Sequence, residues 1–312
     1  MTGRRWVVGV AAAVAAVLVA GALSFGSGRI GWKRAASGRT TRVQQSSAKV
    51  TGAPIRAAFY YGWFPETENW ASHYTPQLGK YDSSNPSVVA TQVAQAKAAG
   101  LDAFISSWWG RGTPTDQRLP LLLDTAKRLG FHDAPYYEPE GVGNPTVATV
   151  SADLTYLASI AGRYPDTWLR MNGKPVLFVY NANDTTCAVA DRWAAANAGR
   201  FYVSLKVFPG YDRCPKQPDS WHQYSAAIRS TRVPGFSETV SPGFWKFSEA
   251  VPRLPHDVTR FRAALADQVS SRERWQLITS WNEWGEGSGV EPTQQFGAKY
   301  VDAIASIYLS AR

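Results

Sequence analysis

The chain has 312 residues, of which 45% are apolar, and it contains 13 Trp, 14 Tyr and 13 Phe, enough for a large core with rings left to line a cleft. Its formal net charge of +9 lies almost entirely in the amino-terminal part, because residues 1–49 hold eight bases and no acid while the remainder holds 25 bases and 24 acids. A nucleic-acid-binding domain carries its basic excess on the folded part, so we do not expect nucleic acid as a partner.

The amino-terminal segment predicts export. Residues 6–25 are free of charge and follow two arginines, a pattern typical of a secretory signal peptide. The run is also long enough to be an uncleaved membrane anchor, and both alternatives stay open. Five bases follow the run, and by the positive-inside rule they would tend to hold the domain after an anchor in the cytoplasm. We expect residues 1–25 to be a signal peptide or anchor, 26–53 a flexible basic linker, and the protein to be secreted or membrane-anchored at the cell surface.

Two cysteines, Cys187 and Cys214, lie in loop-like contexts and share no metal-site spacing. In a cytosolic protein they would be unpaired thiols, whereas in an exported protein an even count indicates a disulfide. Since the leader favours export, we predict a Cys187–Cys214 disulfide.

Strands and helices alternate along residues 54–312. Apolar runs predict eight strands, at 55–61, 101–107, 134–137, 175–180, 201–207, 220–224, 236–240 and 275–281. Helical spacing with capping residues predicts six helices, at 86–99, 117–129, 146–162, 188–196, 257–270 and 295–309. This alternation predicts a single-domain (β/α)8 TIM barrel. A doubly wound open sheet is the competing fold, but it would bring a glycine-rich phosphate loop after the first strand, and none is present there.

Aromatic and acidic residues recur where the predicted strands end, which is where barrel enzymes hold their catalytic groups. These strand ends read Tyr60, Tyr61, Trp63, Trp108, Trp109, Glu138, Glu140, Tyr180, Asn181, Lys206, Trp221, His222, Tyr224, Phe244, Trp245, Glu283 and Glu286. Sugar rings stack on indole, and their hydroxyls bond to carboxylates and phenols, so this set favours a carbohydrate cleft. Trp108 is expected in the core instead, because consecutive strand residues face opposite sides.

Glu283 and Glu286 form the leading catalytic pair. Glycosidic cleavage typically uses two carboxyl groups, one protonated and one ionised. Trp281 and Trp284 would bury the pair and raise one pKa, and the glycines at 285 and 287 permit a tight turn. The alternative is a pair of solvated surface glutamates, which the strand-end position and the tryptophans disfavour.

Several segments together resemble glycoside hydrolase family 99, the endo-α-mannosidase/endo-α-mannanase family, over residues 55–311. They are Phe59-Tyr60-Tyr61, the run 99–109, Glu138-Pro139, Trp221-His222-Gln223-Tyr224, and Trp281-Asn282-Glu283-Trp284-Gly285-Glu286-Gly287 with Glu291-Pro292. The resemblance implies a (β/α)8 barrel and retaining endo-hydrolysis of an α-mannosidic bond, without a metal or cofactor. It also implies that the substrate's own 2-hydroxyl is the nucleophile, through a 1,2-anhydro sugar.

Residue by residue, the resemblance makes Glu283 the base toward the 2-hydroxyl and Glu286 the acid toward the leaving oxygen. It makes Glu138 a substrate-binding carboxylate and places Tyr60, Tyr61 and Trp109 near the sugar. Strand-end position or the shared motif adds Trp63, His222, Tyr224, Trp281, Asn282 and Trp284 to the expected sugar-contacting set. For His222, a packed rim residue remains the alternative.

The chain departs from the family pattern at Gly285, where members often carry His, and at Phe244, where they often carry Tyr. These departures bear on the sugar or linkage accepted. We therefore expect a monomeric enzyme that acts on an α-linked, mannose-containing oligo- or polysaccharide. The alternatives are a glycan-binding barrel without turnover and an envelope-polysaccharide processing factor.

Overall fold

The computed structural model describes residues 52–65 and 70–312, which belong to one compact unit, Lys49–Arg312. The apolar run 6–25, predicted as a signal peptide or anchor, lies outside the described residues, as does nearly all of the predicted linker. Within the described part of the chain, no helix combines the length and apolar character needed to cross a bilayer.

All eight predicted strands and all six predicted helices are present. The strands of the described chain are β1 Ile55–Tyr60, β2 Ala103–Trp108, β3 His132–Tyr137, β4 Arg170–Met171, β5 Lys174–Val179, β6 Tyr202–Lys206, β7 Ser220–His222, β8 Ser230–Val233, β9 Ser237–Val240 and β10 Trp275–Ile278. The α-helices are α1 Pro86–Ala98, α2 Pro114–Leu129, α3 Val147–Arg163, α4 Cys187–Asn197, α5 Val258–Ser271 and α6 Lys299–Tyr308. The short strands β4 and β8 were not predicted.

The eight predicted strands form a nearly closed parallel barrel. The hydrogen-bonded order is β7-β6-β5-β3-β2-β1-β10-β9, with β4 and β8 added antiparallel to β5 and β9. Between β7 and β9, the Thr239 hydroxyl donates to the carbonyl of Gln223 at 2.5 Å. The predicted (β/α)8 fold is thereby confirmed.

Local chemistry explains why the helices begin where they do. A side-chain oxygen at the residue before each of α1 to α5 accepts a backbone N–H of the first turn; these residues are Asn85, Thr113, Thr146, Thr186 and Asp257. After α2 the chain reverses through Gly130, which has φ +63°. These local signals are the ones that the sequence displays most clearly.

Aromatic side chains fill the interior of the barrel. The ring of Phe59 lies 4.8 Å from that of Tyr136, and the ring of Phe178 lies 5.0 Å from that of Trp275. Because this interior is packed, a ligand can reach only the ends of the barrel, and the strand ends that carry the acids form one of them.

The predicted disulfide is present between Cys187 and Cys214. It joins the start of α4 to the loop that follows β6, so it ties together two of the loops at the carboxyl ends of the strands.

Candidate active site

The loop after β10 is tied back to the barrel by its own backbone. The N–H of Glu283 donates to the Ser280 hydroxyl at 2.8 Å, and the N–H of Ser280 donates to the carbonyl of Ser288 at 2.9 Å. The N–H of Trp281 donates to the carbonyl of Phe59 on β1 at 2.7 Å. Glu283 therefore leaves the strand end at a defined place, at the rim formed by the carboxyl ends of the strands.

Two glycines shape this loop for steric reasons. A Cβ at Gly285 would lie 3.1 Å from Oε1 of Glu283, so the absence of a side chain at this position leaves room for the carboxyl group. Gly287 has φ +59°, and a Cβ there would lie 2.7 Å from the carbonyl oxygen of Trp245. Gly287 is thus required twice, by its backbone conformation and by its neighbour.

A chain of phenols leads to the second acid. The Tyr61 hydroxyl donates to the Tyr224 hydroxyl at 2.8 Å, and the Tyr224 hydroxyl donates to Oε2 of Glu286 at 3.4 Å. Burial raises the pKa of both phenols well above 10, so they stay neutral. The backbone of Glu286 is held from the loop after β9, where the N–H of Trp245 donates to its carbonyl at 2.8 Å.

Burial makes both acids of the pair hard to ionise. The pKa of Glu283 lies well above 4.5, first because its carboxyl group is buried and then because Glu286 and Glu138 are near. Burial likewise raises the pKa of Glu286 to about 7, against the opposing effects of Lys246 and the Tyr224 hydroxyl. Two interacting carboxyl groups with raised pKa values can hold and release protons in turn.

Glu138 and Lys206 add a third acid and a cation. Burial raises the pKa of Glu138 to about 8 and lowers that of Lys206 to about 8. The Lys206 ammonium donates to the carbonyl of Asn181 at 3.0 Å and lies 4.7 Å from the ring centre of Tyr180. Its positive charge lowers the pKa of both Glu138 and Glu286.

Several buried polar atoms at this rim have no hydrogen-bond partner among the described residues. They are Nε1 of Trp63, Nε1 of Trp109, Oε1 of Glu138 and Oε2 of Glu283. The rings of Tyr61 and Trp63 lie 4.4 Å apart, so indole and phenol faces accompany these atoms. Unpaired buried donors and acceptors beside aromatic faces suit a ligand that brings many hydroxyls.

Tyr60 and Trp281 correct the sequence-based expectation of sugar contact. The Tyr60 hydroxyl donates to Gln92 on α1 at 2.8 Å, and its ring stacks on that of Phe104 at 4.6 Å. Trp281 is also fully buried against Phe104, in the layer between sheet and helices. Alternation along β1 turns Tyr61 inward and Tyr60 outward, the same rule that placed Trp108 in the core.

His222, Asn282 and Trp284 likewise lie behind the rim and are fully or almost fully buried. His222 lies in the barrel interior, within hydrogen-bonding distance of Ser204 and Tyr136, and burial lowers its pKa well below 6.5. Asn282 and Trp284 use their polar atoms on protein partners. The polar atoms of these three residues are thus engaged by protein partners, and their contact with sugar stays a prediction.

Some site residues had little or no signal in the sequence. Lys206 and Tyr180 were visible only as strand-end residues. Tyr81, whose hydroxyl bonds to Asn282 and Trp284, lies in a long irregular segment with no motif. No cluster of three or more His, Cys, Asp or Glu that could hold a metal is found in residues 52–65 and 70–312.

Comparison with known families and proteins gives consistent matches. Residues 46–208, just over half of the chain, match the profile described as Glycosyl hydrolase family 99, and residues 247–304 match one described as Glycosyltransferase WbsX. A Danio rerio glycoprotein endo-alpha-1,2-mannosidase-like protein is 33% identical over 304 residues, covering 80% of this chain and 66% of its own length. A Mus musculus protein of the same description is 27% identical, covering 82% and 67%. The chain thus spans about two thirds of these relatives.

A solved structure shares the fold. The GH99 endo-alpha-mannosidase from Bacteroides thetaiotaomicron, in complex with BIS-TRIS-propane, superposes with a TM-score of 0.69 at 19% identity. The superposition covers 83% of this chain and 97% of the other.

Proposed function

Because the chain belongs to glycosyl hydrolase family 99 and is a glycoside hydrolase, we propose that it cleaves internal α-mannosidic bonds of a glycan with retention of configuration. The descriptions of its Danio rerio and Mus musculus relatives support an α-mannosyl substrate. The observation that carries the assignment is the corner after β10, where two interacting buried acids both have raised pKa values.

In the first step, Glu283 acts as the base. Its carboxylate takes the proton from the 2-hydroxyl of the mannosyl unit, and that oxygen forms a bond to the anomeric carbon. The bond from the anomeric carbon to the leaving oxygen breaks as Glu286 donates its proton to that oxygen. The products are the released chain, a 1,2-anhydro sugar, protonated Glu283 and ionised Glu286.

In the second step, the roles reverse. Glu286 takes a proton from water, whose oxygen bonds to the anomeric carbon and opens the three-membered ring. The proton on Glu283 returns to the 2-oxygen. Two inversions at the anomeric carbon give net retention, and both acids regain their starting protonation.

This assignment requires ionised Glu283 and protonated Glu286, and burial raises the pKa of both carboxyl groups. Contacts with the substrate favour the protonation states that the reaction requires. A sugar hydroxyl that donates to the unpaired Oε2 of Glu283 favours its ionised form, and a glycosidic oxygen that accepts from Glu286 favours its protonated form. We therefore propose that substrate binding favours the ionised form of Glu283 and the protonated form of Glu286.

The remaining rim residues bind the glycan in this proposal. Oε1 of Glu138 and the indole N–H groups of Trp63 and Trp109 bond to sugar hydroxyls, and the ring of Tyr61 packs on a sugar face. Tyr224 holds Glu286 by its hydrogen bond.

The test is product release from α-mannans by the wild type and by Glu283→Gln and Glu286→Gln, with the anomer formed first followed by proton NMR. We expect an initial α-product from the wild type and at least about a hundredfold loss in each variant. Asp267→Asn, which changes an exposed acid paired with Arg229, is the matched control and should keep full activity. Undiminished release by both catalytic variants, or an initial β-product, would contradict the proposal.

A second candidate is glycosyl transfer, which the match of residues 247–304 to Glycosyltransferase WbsX favours. The same 1,2-anhydro intermediate would then be opened by a sugar hydroxyl in place of water. Products longer than the starting oligosaccharide, formed in proportion to added acceptor, would identify transfer; only shorter products would identify hydrolysis. Binding without either product would identify a glycan-binding barrel.

We also propose that the protein acts outside the cytoplasm. The disulfide supports this location, because such bonds persist in oxidising compartments. Cell fractionation combined with thiol alkylation tests it: the full chain should be found in the extracellular or membrane fraction with both cysteines protected. A cytoplasmic pool with both cysteines alkylated would contradict it.

A further inference from the structure

Behind the catalytic corner lies a buried carboxyl group that the proposed reaction does not use. Glu291 is 2% exposed and follows the catalytic loop. The Tyr81 hydroxyl donates to its Oε2 at 2.7 Å, and the Gln92 amide donates to its Oε1 at 2.8 Å. Both partners are neutral, and burial raises the pKa of Glu291 to about 7. A buried acid held only by neutral groups costs stability, so its presence calls for a role.

The hydrogen bond to Glu291 fixes the orientation of the Tyr81 hydroxyl. Because the Tyr81 hydroxyl donates its proton to Glu291, its oxygen is free to accept hydrogen bonds. It accepts two, from Nδ2 of Asn282 at 3.1 Å and from Nε1 of Trp284 at 3.1 Å. The hydroxyl therefore holds both neighbours of Glu283 in the chain.

Asn282 extends the contact to the other acid. Its Oδ1 accepts the N–H of Tyr61 at 2.8 Å, and its Nδ2 also donates to the carbonyl of Tyr61 at 2.9 Å. The Tyr61 hydroxyl then leads through Tyr224 to Glu286. One buried hydroxyl is thus connected to Glu283 through its flanking residues and to Glu286 through the phenols.

We propose that Tyr81 and Glu291 are positioning residues that set the placement of Glu283 and Glu286, an inference that rests on the proposed function of that pair. Neither touches the reacting atoms in this arrangement. A displacement of about 1 Å in a catalytic group can cost about a hundredfold in rate, so a remote hydroxyl can have a large effect.

Tyr81→Phe is the main test, because it removes the hydroxyl while keeping the ring that packs on Phe64 and Trp70. We expect kcat to fall about 10- to 100-fold with KM within about twofold, because positioning matters most in the transition state. Tyr308→Phe is the matched control: Tyr308 is also fully buried, and its hydroxyl donates to Gln268. It should leave kcat unchanged when both are assayed well below their melting temperatures.

Glu291→Gln tests the acid without changing its size. We expect a smaller loss of kcat than for Tyr81→Phe, and the double variant should lose no more than Tyr81→Phe alone, since Glu291 acts through that hydroxyl. Additive losses, or equal losses in Tyr81→Phe and Tyr308→Phe, would overturn the positioning role.

A second readout is independent of turnover. Carbon-13 NMR of labelled glutamate, with Glu283 assigned from the Glu283→Gln spectrum, follows the ionisation of the base directly. If Tyr81 positions the loop, Tyr81→Phe admits water and lowers the titration midpoint of Glu283, whereas Tyr308→Phe does not. If the wild type cleaves no glycan, the proposed function is contradicted. The titration still tests the positioning role in that case, because it does not depend on turnover. An unchanged midpoint in Tyr81→Phe and Glu291→Gln would refute it.

Discussion

Replacing Glu138 by glutamine should make the stability of the folded chain less sensitive to pH. The carboxyl group is 4% exposed, and burial raises its pKa from 4.5 to about 8. Between these values the folded chain keeps the proton that the unfolded chain releases. Glu138 thus contributes stability that is complete below about pH 4.5 and is lost as pH rises through about 8. The glutamine side chain of the variant is neutral at every pH and has no such dependence.

The size of the effect follows from the shift. About 3.5 pKa units at about 1.36 kcal/mol each give about 5 kcal/mol as an upper value, which the nearby charges of Glu286 and Lys206 modify. Urea unfolding of both proteins at several pH values from about 4 to about 9 measures the difference in unfolding free energy. Glu138→Gln should gain several kcal/mol relative to wild type across this range. Exposed Asp302→Asn is the control and should gain nothing. A constant difference between Glu138→Gln and wild type would refute the burial argument.

Two further predictions concern the rim. Gly287→Ala should lower the unfolding free energy by about 3 kcal/mol in urea titrations, because it adds a steric clash to the cost of φ +59°. Gly297→Ala, with φ +58° and open space, should lose only about 1 kcal/mol; equal losses would exclude the clash. Lys206→Met should move the alkaline limb of kcat/KM to higher pH, since the cation lowers the pKa of the general acid, whereas Lys206→Arg should retain it. An unmoved limb in Lys206→Met would contradict this role.

The position of the acids could be predicted from sequence because it follows from local patterns. Eight apolar runs, mostly separated by capped helices, predict the barrel, and in a barrel each strand end lies at a known rim. Glu138, Glu283 and Glu286 are strand-end residues, and the structure brings all three near one another, as their mutual electrostatic effects show. The same reasoning supplied Tyr61, Trp63 and Trp109.

Side-chain direction was predicted less well. Tyr60 and Trp281 were included for their sequence motifs, although alternation along a strand gives adjacent residues opposite faces. His222 lies one layer below the rim, in the packed interior. A motif identifies a segment, but the pleat of the strand and the depth of each residue decide which of its side chains a ligand can reach.

By itself, the sequence determined the barrel, the rim that holds the acids and the glycine-shaped loop after β10. These depend on apolar periodicity, helix caps and residues that are near one another in the chain. Only the tertiary structure decided what supports that loop. Tyr81, whose hydroxyl holds the loop, precedes its partner Asn282 by 201 residues in the sequence. Lys206 interacts electrostatically with Glu138 and Glu286 from another strand. Such contacts carry no local pattern, because they arise only when the closed barrel brings distant strand ends together.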